Sequence, residues 1–173
     1  PVTSLGSNII YAIAEDKSQR LLVASASGFY VAPKQSARLE EQAFTRVETG
    51  SGSADSAGSV RAITQFHGAT YFAVFGRGID RIDGGRSSLG WPSAPASARE
   101  VLSLLADGED RLLIGTTRDG VLASDGKTIR DEPAFAGLKG PAVRSMARTP
   151  DGSLWFGTAS GIFFIGYFAL QIP

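Results

Sequence analysis

The sequence predicts an all-β chain made of four related units, and three observations lead to this expectation. First, a glycine followed by an apolar residue recurs with spacings of 50, 42 and 41 residues. Second, each unit opens with an alternating segment that lacks the three- and four-residue apolar recurrence of a helix. Third, a nearly continuous apolar run precedes each glycine, as in a strand buried on both faces. The recurring glycines are Gly28, Gly78, Gly120 and Gly161.

The length of the repeat indicates how the units are arranged. A period in the low forties, with two or three short strands per unit, is typical of β-propeller blades. We expect antiparallel units of three to four strands at 8–50, 58–98, 99–140 and 141–173, in a single domain or propeller fragment covering 1–173. Such units could close as a small propeller, pair with a second copy, or form part of a larger propeller. An unclosed set exposes apolar faces, so we expect self-association or further blades in the parent protein.

Each unit can be followed strand by strand. The first strands carry a small residue at one equivalent position, which allows close meshing around an axis. These residues are Ala12, Ala62, Ser103 and Ser145. Turns rich in Asp, Gly and Pro follow, then the apolar second strand, the glycine and a third strand, with weaker fourth strands predicted at 44–47 and 128–130. The side chains expected to be buried are Trp155, Ile63, Leu104 and Met146.

Composition excludes several classes of function. The 17 basic residues balance the 17 acidic residues, so the chain has no electrostatic footprint for a nucleic acid. The absence of cysteine excludes disulfides and thiolate metal sites, and we expect no metal and no cofactor. The apolar stretch at 161–173 is shorter than the roughly 20 residues that span a bilayer, so we expect closing strands there and no membrane contact. Because the chain opens at Pro1, we expect a piece of a longer protein.

The fourth unit carries the most specific motif of the chain. It begins with VRSM at 143–146, continues with DGSLWFGT at 151–158 and ends with GI at 161–162. It resembles the two-component regulator propeller repeat, in which V-x-S-[IL] leads to D-G-x-[LI]-W-[IFV]-G-T and then to G-[LI]. The third unit matches in part, with Leu113 in place of the tryptophan, and the first two units depart further from the pattern.

The resemblance implies a bacterial sensor propeller that lies in the periplasm or outside the cell and is tethered to the membrane in its parent protein. Its output module, of histidine kinase or diguanylate cyclase type, would lie outside this chain. We therefore expect non-enzymatic sensing through a ligand or a protein partner. The segment TPDGSLW at 149–155 is also similar to the blade motif of virginiamycin B lyase propellers. An enzyme of lyase or glycosidase type and a purely structural interaction scaffold are the alternatives.

The starts of the first strands hold the candidate ligand-binding residues. Arg61 and Arg144 occupy one position in two units, where Tyr11 and Leu102 stand in the others. First strands surround the propeller axis, where two guanidinium groups could clamp an anion or could instead pack between blades. We expect a small anionic molecule, or a protein partner, to contact the two arginines and Tyr11 at this axial face. Trp91, in an irregular Pro-rich connection, is the candidate for surface recognition.

No residue is assigned a catalytic role. His67 is the single histidine and lies in a predicted turn, where we expect solvent exposure. Asp16, Asp107, Asp110 and Asp151 recur near the first turns, but each turn has only one or two acids, which favours turn formation over a calcium site. The sequence contains no Ser-His-Asp set, phosphate-cradling loop or metal-ligand spacing.

Overall fold

The computed structural model describes residues 5–32, 43–48, 58–83, 86–89, 91 and 95–166. They form four antiparallel sheets, called blades 1 to 4 in chain order. Blade 1 contains β1 (Ile10–Glu15), β2 (Leu21–Ser25), β3 (Gly28–Val31) and β4 (Thr45–Val47). Blade 2 contains β5 (Val60–Phe66), β6 (Ala69–Val74), β7 (Gly78–Asp83) and β8 (Arg86–Leu89). Blade 3 contains β9 (Val101–Asp107), β10 (Arg111–Thr116), β11 (Val121–Ser124) and β12 (Ile129–Asp131), and blade 4 contains β13 (Val143–Arg148), β14 (Leu154–Thr158) and β15 (Gly161–Ile165).

Strand order within each sheet follows the chain, so every blade is an antiparallel meander. The predicted all-β class, with units of three to four antiparallel strands, is therefore confirmed. β15 lies in the stretch 161–173, where closing strands are expected, and residues 167–173 lie outside the described residues. No helix in the described part of the chain has the length and apolar character needed to cross a bilayer. The division into domains stays a prediction.

The recurring glycine begins the third strand of blades 1, 2 and 4, and it immediately precedes the third strand of blade 3. Its φ is +138° at Gly28, +137° at Gly78, +69° at Gly120 and +126° at Gly161. Side-chain-bearing residues rarely adopt these angles, because the Cβ atom meets the backbone. The glycine therefore recurs because the connection between the second and third strands requires it in every unit.

Three apolar clusters hold the blades together, one between each pair of consecutive blades. Between blades 1 and 2, the rings of Phe29 and Phe72 stack with centroids 4.4 Å apart. A second cluster joins blades 2 and 3, and a third joins blades 3 and 4. Two 3-10 helices, Ala96–Arg99 and Pro133–Leu138, add buried side chains to the second and third clusters. The core of this chain therefore lies between its sheets.

The blades form an open arc. First strands of neighbouring blades pack directly together: β1 against β5, β5 against β9, and β9 against β13. Among the described residues, no comparable packing joins β13 back to β1. We call the side of a blade that faces the preceding blade its front face, and the side that faces the following blade its rear face. The front face of blade 1 and the rear face of blade 4 are thus the two ends of the arc.

One predicted core residue is wrong and three are partly correct. Trp155 is 41% exposed, because its strand β14 presents it on the rear face of blade 4, beyond which the described arc has no blade. Ile63, Leu104 and Met146 are partly buried, and each packs against the cluster in front of its own blade. Burial of an apolar strand residue therefore depends on whether another blade packs on its side of the sheet.

Candidate functional site

A β-bulge near the start of every first strand shapes the candidate site. In each blade the pairing between the first and second strands skips one residue, which is left opposite no partner. The skipped residues are Tyr11, Arg61, Leu102 and Arg144. Bulges redirect a side chain without ending the strand. The side chain at the bulged position therefore has no residue directly opposite it on the second strand.

The structure brings two of the predicted residues together. The guanidinium carbon of Arg61 lies 4.1 Å from the ring centroid of Tyr11, across the interface between blades 1 and 2. It also lies 5.0 Å from the ring centroid of Phe75, at the end of the second strand of blade 2. Cation–π contacts of this kind contribute about 0.5–1 kcal/mol when exposed and about 2 kcal/mol when desolvated. The Arg61 guanidinium thus contacts two aromatic rings.

Phe75 is a member of this site that the sequence prediction did not include. The pairing of the strands places Ala73 and Val74 at the Gly-Thr positions of the family pattern, so Phe75 comes directly after them. The available signal was an aromatic residue at this next position, where the other units have Ala26, Thr117 and Ala159. The Nε atom of Arg61 is buried and has no hydrogen-bond partner among the described residues. Burial of a charged donor without a partner is costly, so this nitrogen is an unused hydrogen-bonding group beside two aromatic faces.

Arg144 does not join this group. It is exposed on blade 4, and the half-buried Leu102 of blade 3 lies at the intervening position. Within the described residues, no ring contact, hydrogen bond or ion pair links Arg144 to Arg61 or Tyr11. Binding of an anion by both arginines therefore stays a prediction.

Trp91 does not lie on the surface. It is only 6% exposed and belongs to the cluster between blades 2 and 3, where its ring stacks on Tyr71 with centroids 5.1 Å apart. The expectation of a surface recognition residue is wrong. The Pro-rich sequence around Trp91 suggested exposure, but the large apolar ring gains more by packing against Tyr71 in the core.

The first-turn residues have the structural roles expected of them. His67 is exposed, adopts φ +46° and stacks on Phe66. Burial alone raises the pKa of Asp16, but hydrogen bonds from Arg20 and the backbone of Ser18 outweigh it, so the pKa lies below its ordinary value. Hydrogen bonds from the Thr149 hydroxyl and the Ser153 backbone lower the pKa of Asp151. Within the described residues, no three His, Cys, Asp or Glu side chains are grouped to hold a metal ion.

A charged cleft between blades 3 and 4 is the second feature that the sequence did not reveal. It has a volume of about 530 Å³ and lies at the turns that join the first and second strands. The nearly buried carboxylate of Asp107 pairs with Arg111 on its own blade and, at 3.2 Å, with Arg148 of blade 4. The innermost charges of the cleft thus satisfy each other and tie the two blades together.

Comparison with known proteins identifies the repeat. Residues 137–160 match the family described as two component regulator propeller. This segment covers β13, β14 and the turn between them, with the motif that singled out the fourth unit. No curated protein shows significant sequence similarity to the chain.

Solved structures share the fold at low identity. The extracellular domain of the hybrid two component system BT4673 from B. thetaiotaomicron is 15% identical, with a TM-score of 0.70 over 95% of this chain and 22% of its own. The corresponding domain of BT3049 from the same organism is 16% identical, with a TM-score of 0.57 over 94% and 29%. PorZ, a bacterial surface component of the type-IX secretion system of Porphyromonas gingivalis, is 13% identical, with a TM-score of 0.70 over 92% and 26%.

These matches support the β-propeller architecture. The chain spans about a quarter of the length of these solved structures, and what it shares with them is the fold. Within this fold, residues 137–160 carry the repeat of the two component regulator propeller family.

Proposed function

We propose that this chain is an extracytoplasmic, non-enzymatic sensing segment of a signal-transduction protein, whose output module lies elsewhere in that protein. The observation that carries the proposal is the family repeat at residues 137–160. The similarity in fold to extracellular domains of two component systems supports it. The role of this chain is to bind a ligand or partner outside the membrane, and catalysis has no part in it.

The proposed ligand site is the group formed by Arg61, Tyr11 and Phe75. A guanidinium in contact with two aromatic rings offers charge beside flat apolar surface. Guanidinium groups bind carboxylates and phosphates through charge-assisted hydrogen bonds. The ligand class is therefore a small anion with a flat or apolar part, and Arg144 adds charge at the same level of the arc.

Thermal unfolding in the presence of small anions tests this proposal. Citrate, inorganic phosphate and glucuronate are the probes, and the double variant Arg61→Ala/Arg144→Ala is compared with wild type. A ligand at one hundred times its Kd stabilises by about 2.7 kcal/mol, which corresponds to a rise in Tm of about 5–10 °C for a chain of this size. The variant should lose at least tenfold in affinity, because a charge-assisted hydrogen bond contributes about 1.5–3 kcal/mol.

The control is Arg99→Ala/Arg130→Ala, which removes two exposed arginines away from the bulges. It should keep the shift in Tm. A shift that survives in the Arg61→Ala/Arg144→Ala variant, or no shift with any probe, would contradict the proposed site. Cleavage of an offered oligosaccharide by the wild-type chain, seen as new reducing ends, would contradict the non-enzymatic role.

A structural role has one observation in its favour. PorZ shares the fold and is a surface component of a secretion system. A scaffold would bind a protein partner through its blades and would show no response to small anions. The same thermal experiment therefore separates the two functions.

A further inference from the structure

The cleft between blades 3 and 4 is a cavity of ligand size away from the anion site. Its volume of about 530 Å³ falls within the range of small-molecule sites, about 300–1,000 Å³. Asp107, which lines the cleft, ends strand β9, whereas Leu102 marks the level of the bulges near the start of that strand. Five steps along a strand span about 17 Å. The cleft is therefore separate from the group around Arg61.

The inner part of the cleft carries a surplus of positive charge. Arg111 Nε donates to Asp107 Oδ2 at 2.8 Å, and Arg148 Nη1 lies 3.2 Å from Oδ1 of the same carboxylate. The Asp107 side chain is only 7% exposed, whereas those of Arg111 and Arg148 are 27% and 39% exposed. Two guanidinium groups share one carboxylate, and among the described residues neither arginine has another ion-pair partner. Each guanidinium has five N–H donors, so both retain donors for an anionic group.

The rim of the cleft carries the opposite charge. Glu109 and Asp110 are exposed in the turn that joins β9 to β10, and Glu132 is half-buried directly after β12. In the part of the chain that the structure describes, none of these three carboxylates takes part in an ion pair or a side-chain hydrogen bond. The described acids are not grouped closely enough to hold a metal ion. An organic ammonium group therefore suits the rim better than a metal ion does.

We propose that this cleft binds a small zwitterion of the amino acid or short-peptide type. The carboxylate of the ligand binds Arg111 and Arg148 in the inner part through charge-assisted hydrogen bonds. Its ammonium group lies among the rim carboxylates. A simple anion meets the acidic rim, and a simple cation meets the surplus positive charge inside, so only a ligand with both charges matches both regions. Because Arg148 belongs to blade 4 and the rim acids belong to blade 3, the ligand bridges the two blades.

Three matched probes test the charge requirement by isothermal titration calorimetry. Glycylglycine carries both charges, N-acetylglycine lacks the ammonium group, and glycylglycinamide lacks the carboxylate. Each is added to the whole chain at up to about 10 mM, so that a Kd of about 1 mM is still measured. Glycylglycine should bind about tenfold more tightly, or better, than either analogue, because each analogue gives up one set of charge-assisted contacts.

Two variants then assign each charge of the ligand to its side of the cleft. Glu109→Gln/Asp110→Asn should weaken glycylglycine by about tenfold or more and leave N-acetylglycine nearly unchanged, since only the ammonium group has lost its partners. Arg148→Gln should weaken both of these probes, because both carry the carboxylate. The substituted side chains are exposed, and Arg111 still pairs with Asp107 in Arg148→Gln, so native circular-dichroism spectra should be retained.

The matched control is Glu15→Gln/Asp119→Asn, which removes two exposed carboxylates outside the cleft and should keep the affinity for glycylglycine. Absence of glycylglycine binding, equal binding of the three probes, or unchanged binding in both cleft variants would overturn the proposal. The variant Arg61→Ala/Arg144→Ala should bind glycylglycine as wild type does. A loss there would place the ligand at the anion site and also contradict the proposal, whereas the response to citrate or phosphate tests the anion site separately.

Discussion

The two tryptophans of this chain occupy opposite environments although both follow turn-rich segments. The ring of Trp91 fills space between blades 2 and 3 and stacks on Tyr71. The ring of Trp155 covers Phe164 at the open end of the arc. The contribution of each to stability follows from how much apolar surface it removes from water within one chain.

Truncation of the two tryptophans should therefore have unequal effects. Trp91→Ala should lower the free energy of unfolding by about 3–5 kcal/mol, because it removes a buried aromatic ring and leaves a cavity. Trp155→Ala should change it by about 1 kcal/mol or less, because the ring is already 41% exposed in the folded chain. Urea titration followed by circular dichroism measures both, and equal losses in the two variants would contradict the assigned environments.

Asp16 gives the chain a predictable dependence on pH. Its carboxylate accepts hydrogen bonds from the backbone N–H groups of Ser18 and Arg20, at 2.9 Å each, and from the Arg20 Nε atom at 2.7 Å. Its pKa is therefore lower in the folded chain than in the unfolded chain. Because the pKa of Asp16 is lower in the folded chain, its ionised carboxylate stabilises the folded state. This stabilisation is fully present when the pH is above the pKa of the unfolded chain, about 3.9, and it is lost as the pH falls through the pKa of the folded chain.

The variant Asp16→Asn should accordingly unfold at lower urea concentration than wild type at pH 7. The difference between the two should shrink as the pH is lowered below about 4, because the wild-type carboxylate is then protonated as well. Asp119→Asn, an exposed residue of another loop, serves as the control for the general effect of removing a charge. A difference that stays constant from pH 7 to pH 3 would show that Asp16 does not act through its charge.

At the scale of the blades, a column of small paired residues sets how closely first and second strands fit. Blades 1 and 2 have an Ala–Ala pair in this column, and blades 3 and 4 have a Ser–Gly pair. The pairs are Ala12 with Ala24, Ala62 with Ala73, Ser103 with Gly115, and Ser145 with Gly157. Where the first strand has the larger serine in place of alanine, the second strand has the smaller glycine in place of alanine. Each pair therefore fills a similar volume, as close packing requires.

The two Ser–Gly pairs should respond differently to an added methyl group. A Cβ atom at Gly115 would lie 2.2 Å from Ser103 Oγ and 2.9 Å from the backbone oxygen of Val143, which blade 4 holds in place. A Cβ atom at Gly157 would come closer than 3.4 Å only to the hydroxyl of Ser145, which can rotate away. Gly115→Ala should therefore cost about 1–3 kcal/mol of stability, and Gly157→Ala should cost less.

Urea titration of the two variants measures this difference. The double variant Ser103→Ala/Gly115→Ala gives blade 3 the Ala–Ala pair found in blades 1 and 2. It should recover part of the stability that Gly115→Ala loses. If Gly157→Ala is as destabilising as Gly115→Ala, the close contact with blade 4 is not the cause.

At the scale of the whole molecule, the interfaces inside the arc carry the apolar clusters and the Asp107–Arg148 pair that joins blades 3 and 4. The two ends of the arc differ from each other. On the front face of blade 1, Val23 and Tyr30 are buried, whereas Trp155, Ile162 and Phe164 on the rear face of blade 4 are exposed.

The sequence by itself determined the class of the fold, the four-fold repeat and the turns. These features are local: alternation, the glycine with positive φ and turn residues such as Asp16 act within a few positions of the chain. It also determined that Tyr11, Arg61, Leu102 and Arg144 are equivalent. The sequence also contained a signal for the bulge at that position. Val60 and Ile63 are both apolar and three residues apart, and a regular strand would place them on opposite faces, whereas a bulge between them places both on one face.

Only the tertiary structure decided which apolar residues are covered and which functional groups meet. Equivalent positions such as Leu113 and Trp155 have the same local pattern, and they differ only in whether another blade follows. The contact of Arg61 with Tyr11 and Phe75 and the cleft around Asp107 likewise arise between strands that are distant in sequence. Burial and contact depend on the neighbouring blade, and the residues within one repeat do not encode whether that neighbour is present.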